Sequence, residues 1–427
     1  MIQLANVFLY KRKIGTIVSS DDSWTRFEYD PSFVGQGIEP SPLFMKVAEG
    51  MVYSFGNLSH NTFHGLPGMM ADSLPDSFGQ SLLNRWLAEN GRVNANPIEL
   101  LCFQGRRCMG ALEYEPARDF GMEESSLIEI DRLVDTARLA LATKENLETN
   151  LFKDSRKALL EIIKVGTSAG GQRAKAVIAL NDSSGEVRSG QIQAPKGFDY
   201  WILKFDGFDG NGMPTENGNF GRREYAFHRT ILDAGIDMTE CRLLEENGRA
   251  HFMTKRFDRK DERKIHMQTL CGIAHFDYQQ PGAYSYEQAF MVMRRLGLSY
   301  PEFQEMYKRM VYNVFSLNRD DHTKNISFLM DENGKWSLAP AYDMGFSYNP
   351  LGAFTNLHQM SIGSKRDDIT KKDLLDFAKK ENISNAPVII EQVRDAVMNF
   401  PRYASEVGIP KEETDIVMTL IRDKLPR

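Results

Sequence analysis

Residues Asn318-Arg319-Asp320-Asp321-His322-Thr323-Lys324-Asn325 place two adjacent carboxylates, an imidazole, an ammonium and two carboxamides side by side. The stretch follows a helical pattern over 301–317 that opens on proline, a residue suited to a helix start. An Arg-Asp pair, four further residues and Asn make Asp320 a candidate proton acceptor and Asn325, with a hard amide oxygen, a candidate cation ligand. His322 suits an orienting hydrogen-bond partner better than a metal ligand, and Lys324 is placed to meet a phosphate or the neighbouring Asp. A polar helix terminus in which Asp320 and Asp321 only cap or solvate explains the stretch equally well in isolation, because short matches recur by chance. The rest of the chain has to decide.

Downstream, 326–330 and 335–338 flank Asp331-Glu332-Asn333-Gly334, a hairpin signal, and lead into Leu338-Ala339-Pro340-Ala341-Tyr342-Asp343-Met344-Gly345. Asp343 would supply a carboxylate to Mg2+, which takes one or two protein oxygens beside phosphate and water. An aspartate in a proline-bounded turn is the plainer alternative. Upstream, Lys204 ends the apolar strand Tyr200-Trp201-Ile202-Leu203, where a cation needs an anionic partner. Glu224, on the helix expected over 224–234, would serve; equally, the lysine would snorkel and the glutamate would sit in a solvated first turn. Gly166-Thr167-Ser168-Ala169-Gly170-Gly171-Gln172-Arg173-Ala174-Lys175 is small enough for successive N–H groups to approach phosphate, with Arg173 or Lys175 adding charge. It matches neither G-x-G-x-x-G nor a Walker sequence, and a turn before a strand explains it as well.

The 427 residues exceed the roughly 250 to 300 that one core usually holds, so two or more domains or lobes are expected. A formal charge of -6 argues against the whole chain clamping nucleic acid. Cys102, Cys108, Cys241 and Cys271 form no C-x-x-C pair and read as buried thiols, without metal. The apolar start precedes Lys11, Arg12 and Lys13, the reverse of a signal peptide, and no run approaches the roughly 18 apolar residues of a bilayer span. A cytoplasmic protein with no membrane partner is expected. Periodicity divides the chain into a β-rich front region over 1–110, an α/β region with the glycine loop over 111–258, and a helical region over 259–427. Helices are expected over 125–144 and 146–163, and a hairpin around Asn247-Gly248.

A glycine loop, a strand lysine, a helix glutamate, an Asp-x4-Asn loop and an aspartate after a hairpin come in the order that protein kinases use. Asn318 replaces the histidine of the kinase loop, and Met344 breaks Asp-Phe-Gly. The chain further contains Leu74-Pro75-Asp76-Ser77-Phe78-Gly79, Arg256-Phe257-Asp258-Arg259 and Met267-Gln268-Thr269-Leu270-Cys271. Together with the segments above, these resemble the HipA family of bacterial serine/threonine kinases, toxins of type II toxin–antitoxin pairs.

The resemblance implies an α+β, protein-kinase-like two-lobed fold, with small antiparallel sheets in a mixed N-terminal region and an all-helical C-terminal lobe. It implies ATP and Mg2+ as cofactors and Asp320 as proton acceptor. Asn325 and Asp343 become metal ligands, and Lys204, supported by Glu224, the phosphate-contacting lysine. Ala169, Gly170, Gly171, Gln172, His322 and Lys324 would line the nucleotide, with Lys255 and Phe257 near the adenine. Thr167 or Ser168 would be the autophosphorylated hydroxyl that silences the enzyme. Expected partners are a HipB-like helix-turn-helix antitoxin, operator DNA through that antitoxin, and a protein substrate such as an aminoacyl-tRNA synthetase. A catalytically idle corepressor, or a small-molecule kinase on the same scaffold, are the competing functions.

Overall fold

The computed structural model describes residues 2–19, 24–117, 128, 137, 162, 174–207, 219–246, 248–260 and 263–426. The chain divides into two compact units. The first comprises Met1–Glu39, Val47–Gly221 and Arg242–Met267; the second comprises Pro40–Lys46, Arg222–Cys241 and Gln268–Arg427. The helices expected over 125–144 and 146–163, and the glycine loop, lie outside the described residues.

The first unit holds two five-stranded antiparallel sheets. One has strand order β4-β3-β2-β1-β5, built from β1 (Leu4–Leu9), β2 (Arg12–Ser19), β3 (Thr25–Tyr29), β4 (Val52–Tyr53) and β5 (Leu112–Glu115). In β3 the residues Thr25, Phe27 and Tyr29 are buried and Arg26 and Glu28 exposed, the period-two pattern of a strand with one wet face. Tyr10 and Lys11, joining β1 to β2, both have positive φ (51° and 63°), as a primed two-residue hairpin turn requires.

The other sheet runs β7-β6-β8-β10-β9, from β6 (Lys175–Leu180), β7 (Val187–Ser189), β8 (Asp199–Lys204), β9 (Cys241–Glu246) and β10 (Arg249–Lys255). β6, in the apolar run Ala-Val-Ile-Ala, is buried at its first five positions because it is an interior strand. The helix Ser77–Glu89 serves two cores: Phe78 and Leu82 pack with Ala176, Ile178, Trp201 and Met253, while Leu83 and Leu87 pack with Leu100 and Phe103. Each pair is four residues apart and therefore shares a helix face.

The second unit is dominated by helices. Tyr286–Arg295 and Tyr300–Phe315 each open on a capping box, at Ser285 and Ser299, and are followed by Lys371–Glu381, Ala386–Met398, Phe400–Glu406 and Lys411–Asp423. The hairpin Ser327–Met330 with Trp336–Leu338 falls where the sequence marks one, and it leads to Asp343. A short parallel pair, Tyr284–Ser285 with Met360–Ser361, ties the segment after Asp343 to the front of the helix Tyr286–Arg295. Among the described residues no helix is long and apolar enough to cross a membrane. All four cysteines are buried.

Candidate active site

The helix Tyr300–Phe315 ends at Ser316, and Leu317 turns the chain through a left-handed conformation (φ 51°) into the Asp320 loop. Asn318 is buried and donates from Nδ2 to Asn313 Oδ1 in the helix at 2.9 Å. Its own Oδ1 accepts from Ser347 Oγ (2.9 Å), and Ser347 Oγ accepts from the Asp320 N–H (3.0 Å). The asparagine that replaces a kinase histidine thus anchors the loop by two carboxamide bonds. Asn325, in the 3-10 turn Thr323–Asn325, donates from Nδ2 to Asp320 O at 2.8 Å. That bond assigns the amide nitrogen and turns Oδ1 to the other side, where it is available as a hard donor.

The Asp320 side chain is 51% exposed, whereas that of its neighbour Asp321 is 1% exposed. His322 Nε2 stands 3.8 Å from Asp320 Oδ1, beyond hydrogen-bond range, and its ring meets Tyr278 edge-on at 5.4 Å. Lys324 lies with Nζ 4.7 Å from the Tyr278 ring centroid, and its carbonyl accepts from Tyr342 Oη at 2.6 Å. Asp343 adopts positive φ (49°), uncommon outside glycine and asparagine, and its carbonyl lies 3.5 Å from Asn318 Nδ2. Asn318 therefore bears on both Asp343 and, through Ser347, Asp320. The second unit brings Asp320, His322, Lys324, Asn325 and Asp343 into one loop cluster.

Lys204, Lys255 and Phe257 belong to the first unit, and Glu224, on the helix Phe220–Asp233, to the second. Lys204 ends β8 opposite Lys175 of β6 and Phe252 of β10, its Nζ 5.7 Å from the Phe252 ring. Lys255 pairs with Asp199 at 2.6 Å and rides over Trp201 at 5.8 Å. Phe257 is half-buried between Arg256 and Asp258, both fully enclosed. Thr167, Ser168, Ala169, Gly170, Gly171 and Gln172 lie outside the described residues.

Sequence reading missed several partners. Lys175 is buried in an ion pair with Asp76 (2.9 Å), a residue whose other oxygen caps the helix Ser77–Glu89 by accepting from Gly79 N. Ser347, His358 and Asp367, which hold the loop from behind, carry no local signal at all. The donor set of one carboxylate (Asp343) and one amide oxygen (Asn325) is all oxygen and suits Mg2+, which rarely has a cage made wholly by protein. Among the described residues no group of three or more His, Cys, Asp or Glu suited to a metal occurs.

Two family models match the chain: the HipA N-terminal domain over residues 5–115 and the HipA-like C-terminal domain over 167–400. A Haemophilus influenzae protein named "Putative kinase" is 29% identical over 144 residues, which are 30% of this chain and 42% of that protein. "Putative kinase Y4mE" of Sinorhizobium fredii is 25% identical over 272 residues, 58% of this chain and 57% of the relative. The chain thus spans about half the length of the curated relatives it matches. In a solved complex of HipA, HipB and operator DNA from Shewanella oneidensis, a chain superposes with a TM-score of 0.68 at 16% identity, covering 98% of this chain and 95% of that one. That likeness establishes the kinase-like two-part fold. With its N-terminal and C-terminal domains both matched, the chain belongs to the HipA family.

Proposed function

We propose that this chain is an ATP- and Mg2+-dependent kinase that phosphorylates a serine or threonine of a protein substrate. The observation that carries the reading is the pinning of Asn325 to the Asp320 carbonyl, within the matched HipA-like C-terminal domain. Asp320 has its N–H bound to Ser347 and its carbonyl to Asn325, so the backbone is fixed and only the half-exposed carboxylate turns toward a substrate hydroxyl. Such a carboxylate accepts the hydroxyl proton as the oxygen attacks the γ-phosphorus and ADP leaves. Asn325 Oδ1 and Asp343 would hold Mg2+, which when bound neutralises phosphate charge. Lys204 and Lys324 are the cations assigned to phosphate oxygens, Lys255 and Phe257 the residues assigned to the adenine side. Thr167 or Ser168 is the assigned autophosphorylation position, acting on the phosphate loop as an off-switch.

By kinship with the Shewanella complex, a HipB-like antitoxin is the proposed partner, with operator DNA reached through it. A cytosolic protein such as an aminoacyl-tRNA synthetase is the proposed acceptor. Incubating the purified chain with cell lysate and labelled ATP, followed by mass spectrometry, tests both the reaction and the acceptor class. Labelled serine or threonine on a protein is expected, and Asp320→Ala should cut transfer by a factor of about 100 or more with folding intact. Undiminished transfer by Asp320→Ala would defeat the assignment, and label confined to metabolites would favour the small-molecule alternative.

A further inference from the structure

Both neighbours of Asp320 are buried, and the chemistry proposed above gives neither a task. Arg319 is 2% exposed. It donates from Nη1 to Asn356 O and from Nη2 to Asp367 Oδ1 (2.5 Å), with its guanidinium 4.5 Å from the Tyr348 ring. Asp321 accepts at Oδ1 from the Gln359 N–H (2.7 Å) and at Oδ2 from Tyr286 Oη (2.9 Å), with His358 Nδ1 at 3.0 Å. Tyr286 Oη in turn accepts from Asn313 Nδ2 (2.9 Å), the same asparagine whose oxygen receives Asn318. Tyr348, Asn356, His358, Gln359 and Asp367 all fall in 344–368, the segment directly after Asp343. Side chains on either side of Asp320 thus grip one segment and leave Asp320 half-exposed between them.

A buried guanidinium and a buried carboxylate are strongly unfavourable unless each is paired and hydrogen-bonded. Here both carry several partners, although Arg319 Nε has none, and those partners come from that segment or from the helices behind it. In many protein kinases the anion that orders such a segment is a phosphorylated side chain that binds arginine. In this chain a carboxylate occupies that role, and it also meets Lys424 Nζ at 3.0 Å, at the end of the last helix. Burial pushes the Asp367 carboxyl up, but hydrogen bonds from Arg319 and Lys424 outweigh it and keep the group below the usual carboxylate range.

We propose that Asp367 and Asp321 are positioning residues: they lock the 344–368 segment to the Asp320 loop through Arg319 and His358, so that Asp320 is presented without covalent modification of that segment. The functional half of this inference rests on the kinase reading, and its structural half does not. Two readouts on the full-length protein separate them. Amide hydrogen exchange over 346–359 should quicken in Asp367→Ala and in Asp321→Asn, whatever the activity. With a protein acceptor and ATP, both variants should lose about 10- to 100-fold in kcat while KM for ATP changes less than about threefold, since misplacement by about an ångström costs this much. Asp367→Glu should recover most of that loss, and Asp367→Asn replaces the alanine variant if it does not fold. Unchanged exchange and unchanged kcat in Asp367→Ala would overturn the proposal, as would a kcat loss that glutamate does not repair and that follows the melting temperature. If the unaltered chain transfers no phosphate yet Asp367→Ala loosens the segment, the kinase reading falls and the lock stands.

Discussion

Asp258 shows how a single side chain can carry a whole connection. It is fully buried, and its carboxylate accepts from Arg256 (2.9 and 2.7 Å), from Arg259 (2.8 Å) and from the Gly110 N–H (2.7 Å). Burial pushes its carboxyl up, but the two guanidinium charges and the backbone donor win and hold it far below the usual range. Arg259 further donates to Gly110 O and Cys108 O, so the loop before β5 is pinned to the end of β10. Asp258→Ala strands two buried cations and should cost about 3–5 kcal/mol in chemical denaturation. At this scale the sequence reveals only what is local. The spacing of Asp320 and Asn325 is legible, and the two do bond. Ser347 and Asp367 reach the loop across 27 and 48 positions, and nothing in the residues next to them announces it.

Among the elements, the ends are set by side chains whose worth depends on burial. Asn96 caps the helix Pro97–Gln104 with a reciprocal Glu99 capping box, and its loss to alanine should cost about 1 kcal/mol. Asp76 caps the helix Ser77–Glu89 and also neutralises Lys175, both groups being 3% exposed or less. Asp76→Ala should therefore cost clearly more than Asn96→Ala, about 3–5 kcal/mol, because a buried ammonium loses its anion. Comparing urea midpoints of the two variants checks the ranking. The hairpins at 246–249 and 330–336, and most helices of the second unit, follow from turn residues and periodicity. The helix expected from residue 224 begins instead at Phe220 and takes in Gly221. In the fold that glycine is required: a Cβ there would run into the carbonyl of Ala250.

At the scale of the whole molecule, acid stability depends on imidazoles whose charging burial opposes, His228 and His275 among them, with His251 lowered in the same direction. Burial, with Arg229 alongside, lowers His228 to about 4, and burial lowers His275, stacked on Phe44, to about 4. The unfolded chain, with histidines near 6.5, then binds more protons than the folded one between those values. Stability should be full above about pH 6.5 and fall as pH drops toward 4, by up to about 3 kcal/mol for each histidine. Asp373 acts lower: burial raises it, but hydrogen bonds from Lys365 and Thr370 bring it to about 2, so its contribution is present above pH 3.8 and disappears as pH falls through 2. Denaturation at stepped pH should show a shallower slope between pH 6.5 and 4 in His228→Gln, and an unchanged slope would remove His228 from this account.

The enclosure of every cysteine has a practical reach. Burial also pushes the Cys108 thiol up to about 11, so alkylating dyes will meet almost no thiolate in the native fold. Leu351, 96% exposed in the stretch after Asp343, is then a place where one engineered thiol would take a fluorophore or spin label on an otherwise unaltered background. Spectroscopy of that stretch in solution needs no prior removal of native sulfur.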